Sequence, residues 1–103
     1  MQTHTQNILG YNFEGPYPTQ NLSGKIPGIY IISTSDYSID INNVIDVGET
    51  QNIEERIANH ERKNCWLRQN GNYLWFHSDD NQERRLFKEK ALRNMFSPTC
   101  GER

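Results

Sequence analysis

The run Gly28-Ile29-Tyr30-Ile31-Ile32-Ser33-Thr34 limits the folds open to this chain more than any other stretch. It is apolar and β-branched, bounded by Pro27 before it and Ser35-Asp36 after it, and too short for a helix. It therefore reads as a buried strand. A buried strand needs elements packed on it, and 103 residues with 34% hydrophobic side chains supply one modest core. At this length no second domain to hold a nucleotide cofactor is expected, so any chemistry is expected to sit on one surface.

The elements that would cover this strand follow from the pattern on either side. Residues 1–25 are polar and broken by Gly10, Gly15, Pro16, Pro18 and Gly24, with aromatics at Tyr11, Phe13 and Tyr17. They suggest an N-terminal arm with one short strand near residues 8–13, leaving a domain over 26–103. Asn43-Val44-Ile45-Asp46-Val47-Gly48 reads as a second strand, antiparallel to the first because the link is short. Beyond it, Thr50 or Asn52 can cap a helix running to about Arg62, with Ile53 and Ile57 on one stripe and Arg56 and His60 beside it. Residues 63–72 read as an irregular connection, Tyr73–His77 as a third strand, and Asp79-Asp80 as the cap of a last helix over about 81–97. In that helix Phe87, Ala91, Leu92, Met95 and Phe96 recur at helical spacing, and Pro98 stops it. The expected architecture is α/β of the α+β type: a three-stranded, mainly antiparallel sheet flanked by helices, in the order β-β-α-β-α.

Charge is placed unevenly. The net charge is −2, yet residues 1–52 carry −4 and residues 53–103 carry +2. Arg56, Arg62, Lys63 and Arg68 form one basic group, and Arg84, Arg85, Lys88, Lys90 and Arg93 a second; on one face they would reach phosphates. No stretch approaches the roughly 20 apolar residues of a membrane span. Residues 1–6 lack the basic-then-apolar order of a secretory signal, which leads to the expectation of a cytoplasmic protein with Cys65 and Cys100 as thiols. A lone disulfide, or zinc held together with His60 or His77, is the alternative, but two cysteines 35 apart without C-x-x-C spacing are a weak zinc signal.

Several residues now fall into one order: Gly28-Ile29-Tyr30 in the first strand, Asp46-Val47-Gly48-Glu49-Thr50 closing the second, Arg56 and His60 four apart, and Glu89 in the last helix, followed by Leu92, Phe96 and Pro98. Together they resemble the GIY-YIG nuclease family over residues 26–98. Where that family has Tyr-Ile-Gly, this chain has Asp46-Val47-Gly48; the basic residue common after that glycine is Glu49 here, and the Asn common after the helix-ending proline corresponds to Gly101.

The resemblance implies hydrolysis of a DNA phosphodiester with one divalent cation, Mg²⁺ or Mn²⁺, held by Glu89. A phosphodiester gains negative charge in its transition state, so a Lewis acid, a cation on the non-bridging oxygens and an acceptor for the water's proton are the groups the reaction needs. In that scheme Arg56 is a planar, permanently charged fork for the phosphate, Tyr30 orients or deprotonates the water, and His60 relays that proton or binds phosphate. Asp46 shares a strand face with Gly48 and would orient water or touch the metal through water. Arg62, Lys63, Arg68 and Arg93 would contact DNA, and cutting both strands of a duplex would call for two copies of the chain. Taken singly, each of these residues also has an ordinary structural role; the ordered spacing is what favours chemistry. The alternative is a non-catalytic module that binds nucleic acid or protein on the same scaffold.

Overall fold

The structure, a computed structural model, describes residues 3–19 and 22–100. In chain order the strands and helices are β1 (His4–Ile8), β2 (Tyr11–Pro18), β3 (Gly28–Ser33), β4 (Val44–Thr50), α1 (Ile53–Ala58), α2 (Lys63–Arg68), β5 (Tyr73–Ser78) and α3 (Gln82–Phe96). The strands form one sheet in the order β1-β2-β5-β3-β4, and each neighbouring pair is antiparallel.

The expected α+β class is observed, but the sheet has five strands and not three. The segment expected as an N-terminal arm supplies the other two. β1 and β2 meet at Leu9-Gly10, both with positive φ, the conformation that a two-residue hairpin turn of matching twist requires. β2 then pairs with β5. The polar residues of β1 hid this strand, because it lies at the sheet edge with most of its side chains exposed.

β3 sits between β5 and β4, and all six of its residues are buried. The period of two explains why. Ile29 and Ile31 enter a core with Phe13, Val47, Trp75 and the α3 residues Leu92 and Phe96. Tyr30 and Ile32 point the other way, into a core with Ile45, Leu74, the α1 residues Ile53 and Ile57, and Trp66 of α2. One sheet is thus covered by α3 on one face and by α1 and α2 on the other.

The helices depart from expectation in four places. α1 is capped by Asn52, whose side chain accepts from the Glu55 N–H, but it ends at Ala58, so His60 lies in the turn after it. Residues 63–68, expected to be irregular, form α2 around the buried Trp66. The cap of α3 is Asn81, which accepts from the Arg84 N–H, while Asp79 accepts from the Asn81 N–H. On α3 the buried side is Arg85, Leu92 and Phe96, leaving Phe87 and Met95 exposed. No helix among the described residues is long and apolar enough to cross a membrane.

The two cysteines are not thiols. Cys65 of α2 and Cys100, beyond α3, form a disulfide across 35 residues of sequence. Cys100 is buried, and its N–H donates to the Ile45 carbonyl, so the bridge fastens the end of the chain to β4 and α2 together. Chain entropy for a loop of this length puts its contribution at roughly 3–4 kcal/mol. Reduction, or the Cys65→Ser/Cys100→Ser pair, should lower the unfolding free energy in urea by about that amount; an unchanged midpoint would show that the bridge adds nothing.

Candidate active site

Tyr30 is the residue around which the expected site residues gather. Its position in the middle of β3, directly opposite Gly48 of β4, sends its ring across the β4 backbone. A Cβ at position 48 would lie 2.1 Å from the Tyr30 hydroxyl oxygen, so Gly48 is there to let the ring pass. The side chain is fully buried, and its hydroxyl oxygen lies 2.5 Å from His60 Nε2. Burial pushes the phenol up to about 12, against the opposing pull of the Arg56 charge and hydrogen bond and of the Arg62 charge. Tyr30 is therefore a neutral phenol at pH 7.

His60 is buried between two rings, edge-on to Tyr30 at 5.6 Å and tilted against Trp66 at 4.4 Å. Its Nδ1 accepts from the Arg62 backbone N–H at 3.0 Å. Burial, followed by the charges of Arg56 and Arg62, lowers its pKa to about 4, so the ring is neutral near pH 7. A backbone amide can only donate. The single proton of the neutral ring is accordingly on Nε2, and His60 donates to the Tyr30 oxygen. As placed, His60 cannot take the phenol's proton; it supplies a hydrogen bond that favours phenolate.

Arg56 completes the group from α1. Its two terminal nitrogens bond both oxygens of Glu61 at 2.8 and 3.1 Å, the paired geometry in which a guanidinium also grips a phosphate. About a third of the Arg56 side chain and 59% of that of Glu61 are exposed. Arg56 holds Glu61 down to a pKa of about 2, so the carboxylate stays charged across the working pH range. An incoming phosphate would compete with a surface ion pair worth no more than about 1 kcal/mol.

Asp46 sits on the Tyr30 face of β4, as strand alternation suggests, but with no exposure to water. Oδ2 accepts from Arg62 Nε at 2.8 Å and from the Trp66 indole at 2.7 Å; Oδ1 accepts from Arg93 Nη2 at 2.8 Å and from the Val47 N–H. Four donors fill its lone pairs, leaving no place for the water-orienting or metal-contacting role expected of it. Arg62 and Arg93, expected on DNA, are thereby committed to Asp46. Of the other two expected DNA contacts, Lys63 is half-buried at the start of α2 and Arg68 is exposed at its end.

Glu89 lies on α3, which packs chiefly against β4. It shares a stripe with Arg85, bonded to Glu49 at 3.0 Å, and with Arg93, whose Nε is 3.7 Å from Glu89 Oε2. It joins the Tyr30 group through Arg93 and Asp46. Among the described residues no group of three or more His, Cys, Asp or Glu could hold a metal. A cage built wholly by the protein does not fit. Glu89, ion-paired with Arg93, offers one hard oxygen ligand, and a hydrated Mg²⁺ needs few protein oxygens. Gly101 lies outside the described residues.

The Arg56–Glu61 pairing that the sequence offers as the ordinary role of Arg56 is observed, and it forms across the end of α1. Trp66 was not legible as a member of this group, because nothing in the sequence aims its indole N–H at Asp46. The one available signal was Asp46 itself, since a carboxylate in an apolar strand demands buried partners. No family model matches the chain, and neither a curated protein nor a solved structure does.

The neutral His60 predicts a pH effect with a definite sign. Between about 6.5 and about 4 the unfolded chain binds a proton at position 60 that the folded chain does not, so stability falls as pH falls through that window. Urea midpoints measured from about pH 7 to about pH 4.5 should drop less steeply for His60→Gln than for the wild type. Equal slopes would mean that His60 is charged in the fold.

Proposed function

We propose that this chain is a nuclease of the GIY-YIG type, hydrolysing DNA phosphodiesters with one divalent cation at Glu89. The observation that carries the reading is the Tyr30–His60 pair at 2.5 Å with the Arg56 guanidinium acting on the same phenol. Arg56 and Glu61 face water at this point, so a phosphate oxygen replacing the Glu61 carboxylate would stay within reach of the fork. Tyr30 would then orient the attacking water as a neutral phenol, with His60 and Arg56 holding its oxygen in place. When bound, Mg²⁺ or Mn²⁺ supplies Lewis-acid stabilisation of charge on the phosphoryl group. Arg68 and Lys63 are the cations of α2 nearest in sequence to this group that would meet the DNA backbone. Two copies would be needed to cut both strands of a duplex. A disulfide is at home in an oxidising compartment, so the Cys65–Cys100 bridge does not favour the cytoplasmic location expected from the sequence.

A second reading, a non-catalytic module that binds nucleic acid or protein, is favoured by the complete burial of Tyr30 and Asp46. The two readings separate on a supercoiled plasmid incubated with Mg²⁺ or Mn²⁺. The nuclease reading predicts nicking or linearisation, with Tyr30→Phe, Arg56→Ala and Glu89→Gln each slowed by about 10²-fold or more in kcat. Salt-sensitive binding without cleavage supports the second reading. Cleavage undiminished in Glu89→Gln contradicts the first.

A further inference from the structure

A continuous path of polar contacts leads from α3 to the buried phenol. It runs from Glu89 to Arg93 Nε at 3.7 Å, from Arg93 Nη2 to Asp46 Oδ1 at 2.8 Å, and from Asp46 Oδ2 to Arg62 Nε at 2.8 Å. The Arg62 backbone N–H then meets His60 Nδ1 at 3.0 Å, and His60 Nε2 meets the Tyr30 oxygen at 2.5 Å. Each link is made by groups that burial forces to find partners, and Asp46 is the one member that touches both halves.

The direction of the last two bonds depends on where Arg62 sits. Its backbone N–H reaches His60 Nδ1 only while the turn after α1 is folded as it is; in that turn the Lys63 N–H bonds the His60 carbonyl and Arg56 grips Glu61, but Arg62 is the residue that a buried carboxylate holds. α1 ends at Ala58 and α2 begins at Lys63, while the side chain of Arg62 is anchored by Asp46 and also reaches Glu61 at 3.3 Å. With Asp46 holding Arg62, Nδ1 is an acceptor, Nε2 keeps the proton, and the Tyr30 oxygen receives a hydrogen bond. With the turn released, His60 would be free to carry its proton on Nδ1 and accept from the phenol, reversing the polarity at Tyr30. We propose that Asp46 is a positioning residue which, through Arg62, fixes the tautomer of His60 and so the hydrogen-bond polarity at Tyr30, and through Arg93 ties Glu89 to the same frame.

The functional importance of this frame rests on the nuclease reading, but the frame itself is read without any activity. Long-range ¹H–¹⁵N correlation on ¹⁵N-labelled wild-type protein at neutral pH reports the His60 tautomer directly, and the proton is expected on Nε2. Asp46→Asn keeps the size of the side chain but loses its charge. Arg62→Met keeps the backbone N–H and much of the apolar stem, at a side chain that is 21% exposed. Both should give a mixture of His60 tautomers and exchange the Nε2 proton with water at least about tenfold faster. Trp66→Phe removes a donor to Asp46 without cutting the link to His60, and should leave the tautomer in place while lowering Tm. A purely structural Asp46 would lower Tm in all three variants and leave His60 alone. The proposal is overturned if wild-type His60 carries its proton on Nδ1, or if Arg62→Met, with its amide spectrum otherwise intact, keeps the wild-type tautomer and exchange rate. Should Asp46→Asn fail to fold, Arg62→Met decides the matter. If the wild type cleaves no DNA while these shifts appear as expected, the nuclease reading fails and the positioning role stands.

Discussion

The buried carboxylate of Asp46 is the contact on which the rest of this structure depends. Removing such a group from water costs several kcal/mol, recovered only when cations and hydrogen-bond donors surround it. Here the donors come from the turn between α1 and α2 (Arg62), from α2 (Trp66) and from α3 (Arg93), so one side chain on β4 draws helices from both faces of the sheet to the same point. Arg93 also bonds the Val47 carbonyl, which occupies the outer strand of the sheet as well as the acid. The disulfide lies beside this arrangement: Cys65 precedes Trp66, and Cys100 bonds the residue before Asp46.

The same contact changes what the candidate site can do. Arg62 and Arg93 count as basic residues in the sequence, but their charge is spent on Asp46 inside the protein and contributes little to an external field. What remains at the surface near Tyr30 is the Arg56 fork, held by Glu61 in the manner of a phosphate. The net charge of −2 therefore describes the outer surface poorly: part of the basic second half is neutralised by the acidic first half through Asp46–Arg62, Asp46–Arg93 and Glu49–Arg85.

How much of this the sequence disclosed follows from the range of each interaction. β3, β4, β5, the β3–β4 pairing and α3 were legible because period, β-branching and the stop at Pro98 are local. The N-terminal hairpin was not, because its strands are polar or broken by glycine and proline, and their membership in the sheet is decided by pairing with β5 some sixty residues away. Tyr30, Arg56 and His60 were picked out and do come together. His60 reaches Tyr30 from a turn, not from the helix that was expected to carry it. Asp46 was singled out as an acid in an apolar strand, but its partners lie 16, 20 and 47 residues on, and no local pattern joins them.

The claim that Arg56, beside the Tyr30–His60 pair, is where a phosphodiester lands is tested most directly by titrating the ¹⁵N-labelled protein with a short single-stranded DNA at low salt. The account predicts that shift changes concentrate on the Arg56 side chain, Glu61 and His60, and that they fade as salt is raised. Changes confined to the exposed Phe87–Met95 side of α3, with Arg56 and His60 unmoved, would contradict it.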